Sequence, residues 1–503
     1  MVHLYKSLLS TIKFGYKRKI VEDSFGNSIS NIGLIYKSIL LGNVLLRSLY
    51  WENHNKPIGL MLPNTVPTTI VFFAIQYLNK VCAIINFTSG SKNILSCVKK
   101  SDIRYIITSK KFIDQSNLQD VVEKLKNNNQ LGKNLEFIFL EDLKNNITFV
   151  DIFNAIYKFL INPIPKKIQT NSGNSVILYT SGTESDPKGV GLSHKNLFTN
   201  RMQVLKALQI GRKEKFFTCL PFFHSFGLGI GVLLPILSGC KVFLYPTPLH
   251  FQTIPKLLEE TKSTVFFSTD TFLKKYLPHV NKSTFNGLKY LIAGAEKVDL
   301  STHEKYKGLG VQILEGYGVT EASPAVSVNT LENYKIGSVG KFIPEIEYKI
   351  EKIDGCNEGG LLHIKGDNVI NRYFNQEKEF EWYNTGDVVN VDEDGYLFIL
   401  GRLKRFAKIA GEMISLTQIE EFPKKLWSEN NSAVCAIKDF KKGEVLILLT
   451  DNQNADLKII IDSMKGEGMS TLYMPKIIKI IDEFPILGSG KIDFKKLQEI
   501  AEA

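Results

Sequence analysis

The sequence predicts an α/β fold, with a large N-terminal region of parallel and mixed sheets with helices, a small β-region, and a small mobile α+β C-terminal domain. Three observations predict it. Short β-branched runs alternate with helical stretches from residue 58 onward, the order expected of parallel strands joined by crossovers. After about residue 330 the texture changes to short strands joined by tight turns. The composition of the 503 residues, 44% hydrophobic and 11% aromatic, supplies apolar chain for more than one core at roughly 100–200 residues per domain.

Taken in order, the opening MVHLYKSLLSTIKFGYKRKI carries Lys6, Lys13, Lys17, Arg18 and Lys19 among apolar residues, with no acid before Glu22. That pattern suits an ordinary basic first helix, and equally a helix lying on an anionic membrane or an organelle transit segment. IGLML (58–62), VCAII (81–85), YIIT (105–108), FIFL (137–140), VILYT (176–180) and KVFLY (241–245) read as strands. Further on, EYKIEKI, GGLLHIKG and GYLFILGR read as strands, with turns at Asp354-Gly355 and Asp394-Gly395. Near GRLKR a new segment begins, with strands AVCAI and VLILLT. Domains are therefore expected at 1–400 and 401–503, the second long enough to hold its own core.

Several classes are excluded. The six cysteines are scattered without a CxxC or Cys/His cluster, which predicts reduced thiols and no zinc site. The longest apolar run, LGIGVLLPIL (228–237), is too short to span a bilayer, which needs about 20 residues. No secretory signal is visible, so a cytoplasmic chain is expected, with peripheral contact to the inner membrane face open through the basic opening segment. The net charge of +11, from 62 Lys+Arg against 51 Asp+Glu, favours acidic partners or reflects Lys-rich residue usage throughout. No nucleic-acid signature accompanies it.

The strongest chemical signal is LYTSGTESDPKGVGLSHKNL (178–197). A strand ends at Tyr179, and in the loop from Thr180 the small hydroxyl and glycine residues let backbone N–H and side-chain O–H groups approach phosphate oxygens, with Lys188 adding a cation. It is not a Walker loop, because Pro187-Lys188-Gly189 stands where Gly-Lys-Ser/Thr is needed. The plain alternative is a turn before a helix capped by Ser193. GYGVTE (316–321) follows the strand VQILE and puts Thr320 and Glu321 at a strand's carboxyl end, where α/β ligands bind. YNTGD (383–387) offers Asp387 to ribose hydroxyls. LGSGKID (487–493) sets Lys491 in a glycine-flanked turn. PFFHSFG puts His224 among aromatics, where a packed core histidine is the commoner case. Gly227, Gly229 and Gly231 leave either a groove for a ligand or room for backbone packing.

Together, TSGTESDPKGV, PFFHSFG, GYGVTE, YNTGD, GRLKRFAKIAGEMIS and GSGKID make the chain resemble the adenylate-forming enzymes, from about residue 20 to the end. The wording of LEGYGVTEASPAVSVN, GRLKRFAKIAGEMISL and AGAEKV looks closest to the acyl-ACP synthetase half of the bacterial bifunctional 2-acylglycerophosphoethanolamine acyltransferase. No histidine has Asp at the HxxxxD spacing of that protein's acyltransferase half, which leads to the expectation of a synthetase alone. The resemblance implies activation of a fatty acid by ATP with Mg²⁺ and transfer of the acyl group to acyl carrier protein, or else to CoA. A catalytically silent membrane-associated homologue is the rival from another class.

By motif match, Thr180, Ser181, Gly182, Thr183 and Lys188 would hold the β- and γ-phosphates. Thr320 would touch the α-phosphate and Glu321 the metal. Tyr317 and Gly318 would lie near adenine, and Asp387 and Arg402 at the ribose. Lys491 would bridge the carboxylate and the α-phosphate during adenylation. His224, Gly227, Gly294 and Gly411 would line the acyl and thiol pockets, and Lys404 would mark the hinge of a swinging C-terminal domain. The family loop usually has glycine where Ser185 stands. Arg402, Lys404, Arg405 and Lys408 crowd beside the hinge, and an acidic carrier would be steered to such a cluster.

Overall fold

The computed structural model describes residues 2–15, 17–48, 56–127, 135–164, 173–180, 187–356, 358–409, 412–439, 443–485 and 492–503. The chain divides into two compact units, Met1–Ile346 with Gly366–Glu381, and Glu347–Lys365 with Trp382–Ala503. The mixed α/β architecture is the one the sequence predicts.

In the first unit, a six-stranded sheet runs Glu136–Phe139, Tyr105–Thr108, Ile58–Leu60, Cys82–Ile84, Asn174–Thr180, Lys188–Ser193. All neighbours are parallel except the last pair, a hairpin. A nine-stranded sheet runs Lys341–Phe342, Ala325–Val328, Ile313–Gly318, Tyr290–Ala293, Val265–Ser268, Lys215–Thr218, Lys241–Leu244, Lys19–Asp23, Ser28–Ser30. Its middle is parallel and buried on both faces, so its strands read as continuous apolar runs.

The two-residue period sorts these side chains. Phe216, Val242, Val265 and Ile292 face a core shared with the six-stranded sheet, where Leu60, Ile84, Ile106 and Val176 sit. On the other face, Phe243, Phe217, Phe266, Leu291 and Ile313 are register neighbours in one row across five strands. Phe217 stacks on Phe243 at 5.4 Å and meets Phe266 edge-on at 5.7 Å.

The opening segment forms the helix Leu4–Ser10, and Leu4, Tyr5 and Leu8 are fully buried in the main core. Its apolar side chains are committed to the fold, so of the open readings the ordinary first helix holds, and these residues are not available to a membrane. Among the described residues no helix is long and apolar enough to cross a membrane.

The second unit opens with an antiparallel sheet, Glu347–Glu351, Gly360–Lys365, Tyr383–Val391, Leu397–Arg402. Gly355 and Gly395 take φ of 83° at the turns read from the sequence, a conformation that favours glycine. A ribbon, Phe406–Ile409 with Glu412–Ser415, leads to a three-stranded sheet of Ser432–Asp439, Gly443–Thr450 and Ile477–Ile480. Val434, Leu446 and Leu448 face one core and Ala433, Cys435, Ile447 and Leu449 another. The helices Leu416–Leu426 and Leu457–Gly466 pack against the first and Phe494–Glu502 against the second. All six cysteines are free thiols, five of them buried.

Candidate active site

Most of the sequence-predicted side chains stand in the first unit, at strand ends. Thr180 ends its strand directly opposite Lys188, the first residue of the returning one. Ser181, Gly182 and Thr183 of the intervening loop lie outside the described residues, with Ser185, Gly411 and Lys491. Ser193 does cap the following helix, His194–Leu208, in a reciprocal capping box with Asn196.

Lys188 is exposed, and its Nζ stands 5.5 Å from the centroid of the Tyr373 ring, within cation–π range. The Tyr373 hydroxyl donates to Glu321 Oε1 at 3.0 Å, and Glu321 is 7% exposed. Beside Glu321, in the short turn Thr320–Ala322, the Thr320 hydroxyl lies 3.2 Å from Ser225 Oγ of PFFHSFG. Three motifs far apart in sequence thus meet through side chains.

Backbone bonds hold this junction. Ile370 N–H donates to the Glu321 carbonyl at 2.9 Å and Phe374 N–H to the Gly189 carbonyl at 3.0 Å. Asn368 Nδ2 donates to the Ala322 carbonyl at 2.8 Å, while Ser323 Oγ donates to the Asn368 carbonyl at 2.9 Å. The segment Gly366–Glu381 therefore ties the hairpin to the turn bearing Thr320 and Glu321. Glu315, 2% exposed, pairs through Oε1 with His303 Nε2 at 2.9 Å and accepts Val298 N–H on Oε2 at 3.1 Å. This bond fixes AGAEKV to the strand Ile313–Gly318.

Tyr317 and Gly318 end that strand, half-buried. Gly294 follows the neighbouring strand, where a Cβ would stand 3.2 Å from the Gly316 carbonyl. His224 is exposed, 4.9 Å from the Phe223 ring, so it is not a packed core histidine. Gly227 is the second residue of a π-helical stretch, Phe226–Leu233, that is buried from Gly227 onward. A Cβ there would lie 2.2 Å from the Pro221 carbonyl, a backbone approach that by itself demands glycine.

In the second unit Asp387 and Arg402 face each other across antiparallel strands, with Arg402 Nε 2.7 Å from Asp387 Oδ1. Asp387 is buried and Arg402 exposed, so the guanidinium serves as cover and counter-charge to the carboxylate. Lys404 is exposed in the turn Leu403–Arg405.

Arg405 corrects a sequence-based expectation. It is not a solvated charge available to a carrier: its Nη2 pairs with Glu420, its Nη1 donates to the Val434 carbonyl at 3.0 Å, and it stacks on Phe494 at 4.0 Å. Burial pushes the Glu420 carboxyl up, against the pull of Arg405. Removing either partner would leave an uncompensated charge.

The family described as AMP-binding enzyme matches residues 41–374. The chain belongs to the AMP-binding enzymes. Among similar family members, a 2-succinylbenzoate–CoA ligase of Listeria innocua is 24% identical, over 92% of this chain and 93% of that protein. A probable 4-coumarate–CoA ligase 3 of Dictyostelium discoideum is 28% identical over 66% of this chain, a match that spans 64% of that protein, under two thirds of its length. The fold is that of ATP-bound MatB from Rhodopseudomonas palustris, at TM-score 0.84 and 20% identity over 100% of this chain and 99% of that one. It is also that of the o-succinylbenzoate CoA synthetase MenE from Bacillus subtilis in complex with an acyl-adenylate intermediate, at TM-score 0.82 and 20% identity over 98% and 97%.

Within this AMP-binding chain, sequence reading missed Tyr373, Ser225 and Glu315. Ser225 lay inside a quoted motif without a partner in sight. Tyr373 sits in NRYFNQ, where an aromatic pair in a polar segment is the one available signal.

Proposed function

We propose that this AMP-binding enzyme is an AMP-forming ligase that joins a fatty carboxylate to a phosphopantetheine thiol. A carboxylate oxygen attacks the α-phosphorus of ATP, the bond to the bridging oxygen breaks, and pyrophosphate leaves. The thiol sulfur then attacks the acyl carbon, the bond to AMP oxygen breaks, AMP leaves, and the thiol proton passes to solvent. The first step brings two anions together, so it needs cations and hydrogen-bond donors fixed in advance.

The observation that carries this reading is the convergence of Lys188 and Glu321 on Tyr373, with Thr320 beside them. Lys188 and the hydroxyls of Thr180, Ser181 and Thr183, with Gly182, serve the phosphates, and Thr320 serves the α-phosphate. Tyr317 and Gly318 border the base, Asp387 held by Arg402 takes the ribose, and Lys491 bridges the reacting anions. His224, Gly294 and Gly411 border the acyl and thiol paths. Residues 401–503 turn about Lys404 between the two steps.

The donor set fits Mg²⁺. Among the described residues no three His, Cys, Asp or Glu side chains group as a metal cage, whereas one buried carboxylate beside a hydroxyl suits an ion that keeps waters and shares substrate phosphates. Bound there, Mg²⁺ would neutralise phosphate charge, and Glu321 would hold it.

Acyl carrier protein as acceptor rests on the motif wording. CoA is the second reading, favoured by the names of the relatives, which are CoA ligases. ATP–pyrophosphate exchange with a fatty-acid panel, followed by thioester assays with carrier protein and with CoA, tests both levels. No exchange with any acid would overturn the ligase reading. Acyl-CoA formation without carrier transfer would overturn only the acceptor.

A further inference from the structure

The helix Phe149–Ile161 is turned inside out. Its charged groups face the protein: Asp151 pairs with Arg47 at 2.8 Å, and Lys158 Nζ donates to Asn43 at 2.7 Å. Phe159 meets Tyr36 edge-on at 6.3 Å. Both cationic and amide partners come from the helix Asn31–Ser48. A reciprocal capping box between Thr148 and Asp151 sets the N-terminus. The outer face is apolar except for the exposed Asn154. Phe149 is 91% exposed, Phe153 71%, Leu160 70%, Ile161 68%, Val150 67%, Tyr157 58% and Ile156 44%.

These positions are not scattered. Phe149, Phe153, Ile156 and Leu160 are spaced four, three and four apart, the seam spacing of paired helices, and Val150 and Tyr157 flank it. At about 150–250 Å² for each fully exposed aromatic ring, the seven side chains present on the order of 800 Å² of apolar surface. The largest patch on a typical monomer is about 300–600 Å², and one partner of a standard interface contributes about 800 Å².

We infer that this face pairs with the same face of a second copy of the chain, in an isologous two-fold dimer with the helices antiparallel. An uncharged stripe is self-complementary, so the net charge of +11 does not oppose the contact locally. An anionic lipid surface is the less suited occupant. Amphipathic membrane helices carry Lys and Arg beside the apolar face, whereas the adjoining helix Leu140–Asn145 has two acids and one lysine. Lys158 is already turned inward.

Sedimentation equilibrium of the full chain at micromolar concentration, with and without vesicles of phosphatidylcholine and phosphatidylglycerol, tests the inference. The expected mass is twice 56.8 kDa. Phe153→Glu/Leu160→Glu should return it to one chain, with thermal midpoint and pyrophosphate exchange unchanged. Near the dyad, Ile156→Cys should be joined to its own copy by a short bis-maleimide, and the unsubstituted chain should not. A wild-type monomer overturns the inference, whether or not it binds the vesicles. So does a dimer that survives the double substitution.

Discussion

Acidification is expected to loosen the seat of the N-terminal helix, by an amount set by two adjoining rings. His3 and His194 lie with centroids 3.9 Å apart, 0% and 3% exposed. His194 Nδ1 accepts the Leu4 amide and His3 Nδ1 the Tyr5 amide, each at 3.2 Å. A nitrogen that accepts must keep its lone pair, so both rings are neutral with the proton on Nε2. Burial lowers His3 to about 4 and His194 to about 3, the latter helped by His3 beside it. In the unfolded chain both titrate near 6.5. Above that value neither state binds the protons and the stability is complete. Below it the unfolded chain takes up protons that the folded one refuses, and stability falls until the pH passes the folded values. At 1.36 kcal/mol per unit, each ring removes about 2 kcal/mol between pH 6.5 and 5.0. His194→Gln keeps an acceptor for the Leu4 amide and cannot titrate. Urea unfolding of both proteins at pH 7.5 and 5.0 isolates the ring, because every other titrating group is common to them. Wild type should lose about 2 kcal/mol more than the variant; equal losses would refute the neutral-pair argument.

Four further outcomes follow from the site. Tyr373→Phe should raise the Mg²⁺ needed for half-maximal pyrophosphate exchange several-fold while leaving fatty-acid KM unchanged, because it frees Glu321 without removing the ring from Lys188; an unaltered Mg²⁺ curve would remove Tyr373 from a positioning role. Glu321→Gln should show the larger shift of the same kind, since a neutral amide is a poorer ligand for a hard cation. Lys491→Ala should nearly abolish acyl-AMP formation and leave thioester formation from supplied acyl-AMP largely intact; equal loss in both half-reactions would mark the lysine as structural. Arg405→Ala should destabilise the second unit by about 3–5 kcal/mol by stranding Glu420, readable as a lowered denaturant midpoint, and an unchanged midpoint would show the pair to be dispensable.

The parallel strands were legible because each is a short apolar run bounded by turn residues, and burial on both faces keeps such runs apolar. What remained hidden depends on contacts between distant positions. Gly227, Gly229 and Gly231 fit a groove or close packing equally well in sequence; only the Pro221 carbonyl 2.2 Å from a Cβ at Gly227 decides for packing at that position. The basic opening segment looks fit for a membrane until Leu4, Tyr5 and Leu8 are seen inside the core. Tyr373 and Glu321 are 52 residues apart and His3 and His194 are 191 apart, and nothing local to either member of a pair announces the other.

The arrangement also changes how an acceptor can be recognised. Four basic residues near GRLKR suggest a docking cluster, yet two of them are already committed. Arg405 is packed between Glu420 and Phe494, and Arg402 covers Asp387. Lys404 and Lys408 are exposed in that run. Two exposed lysines screened by salt give a weaker electrostatic steer than four charges would. A carrier protein docking here would therefore depend on apolar contact and on its pantetheine arm more than on charge. If carrier transfer is observed, its rate should fall only modestly with added salt. A steep fall would place the docking charges elsewhere on this strongly basic chain.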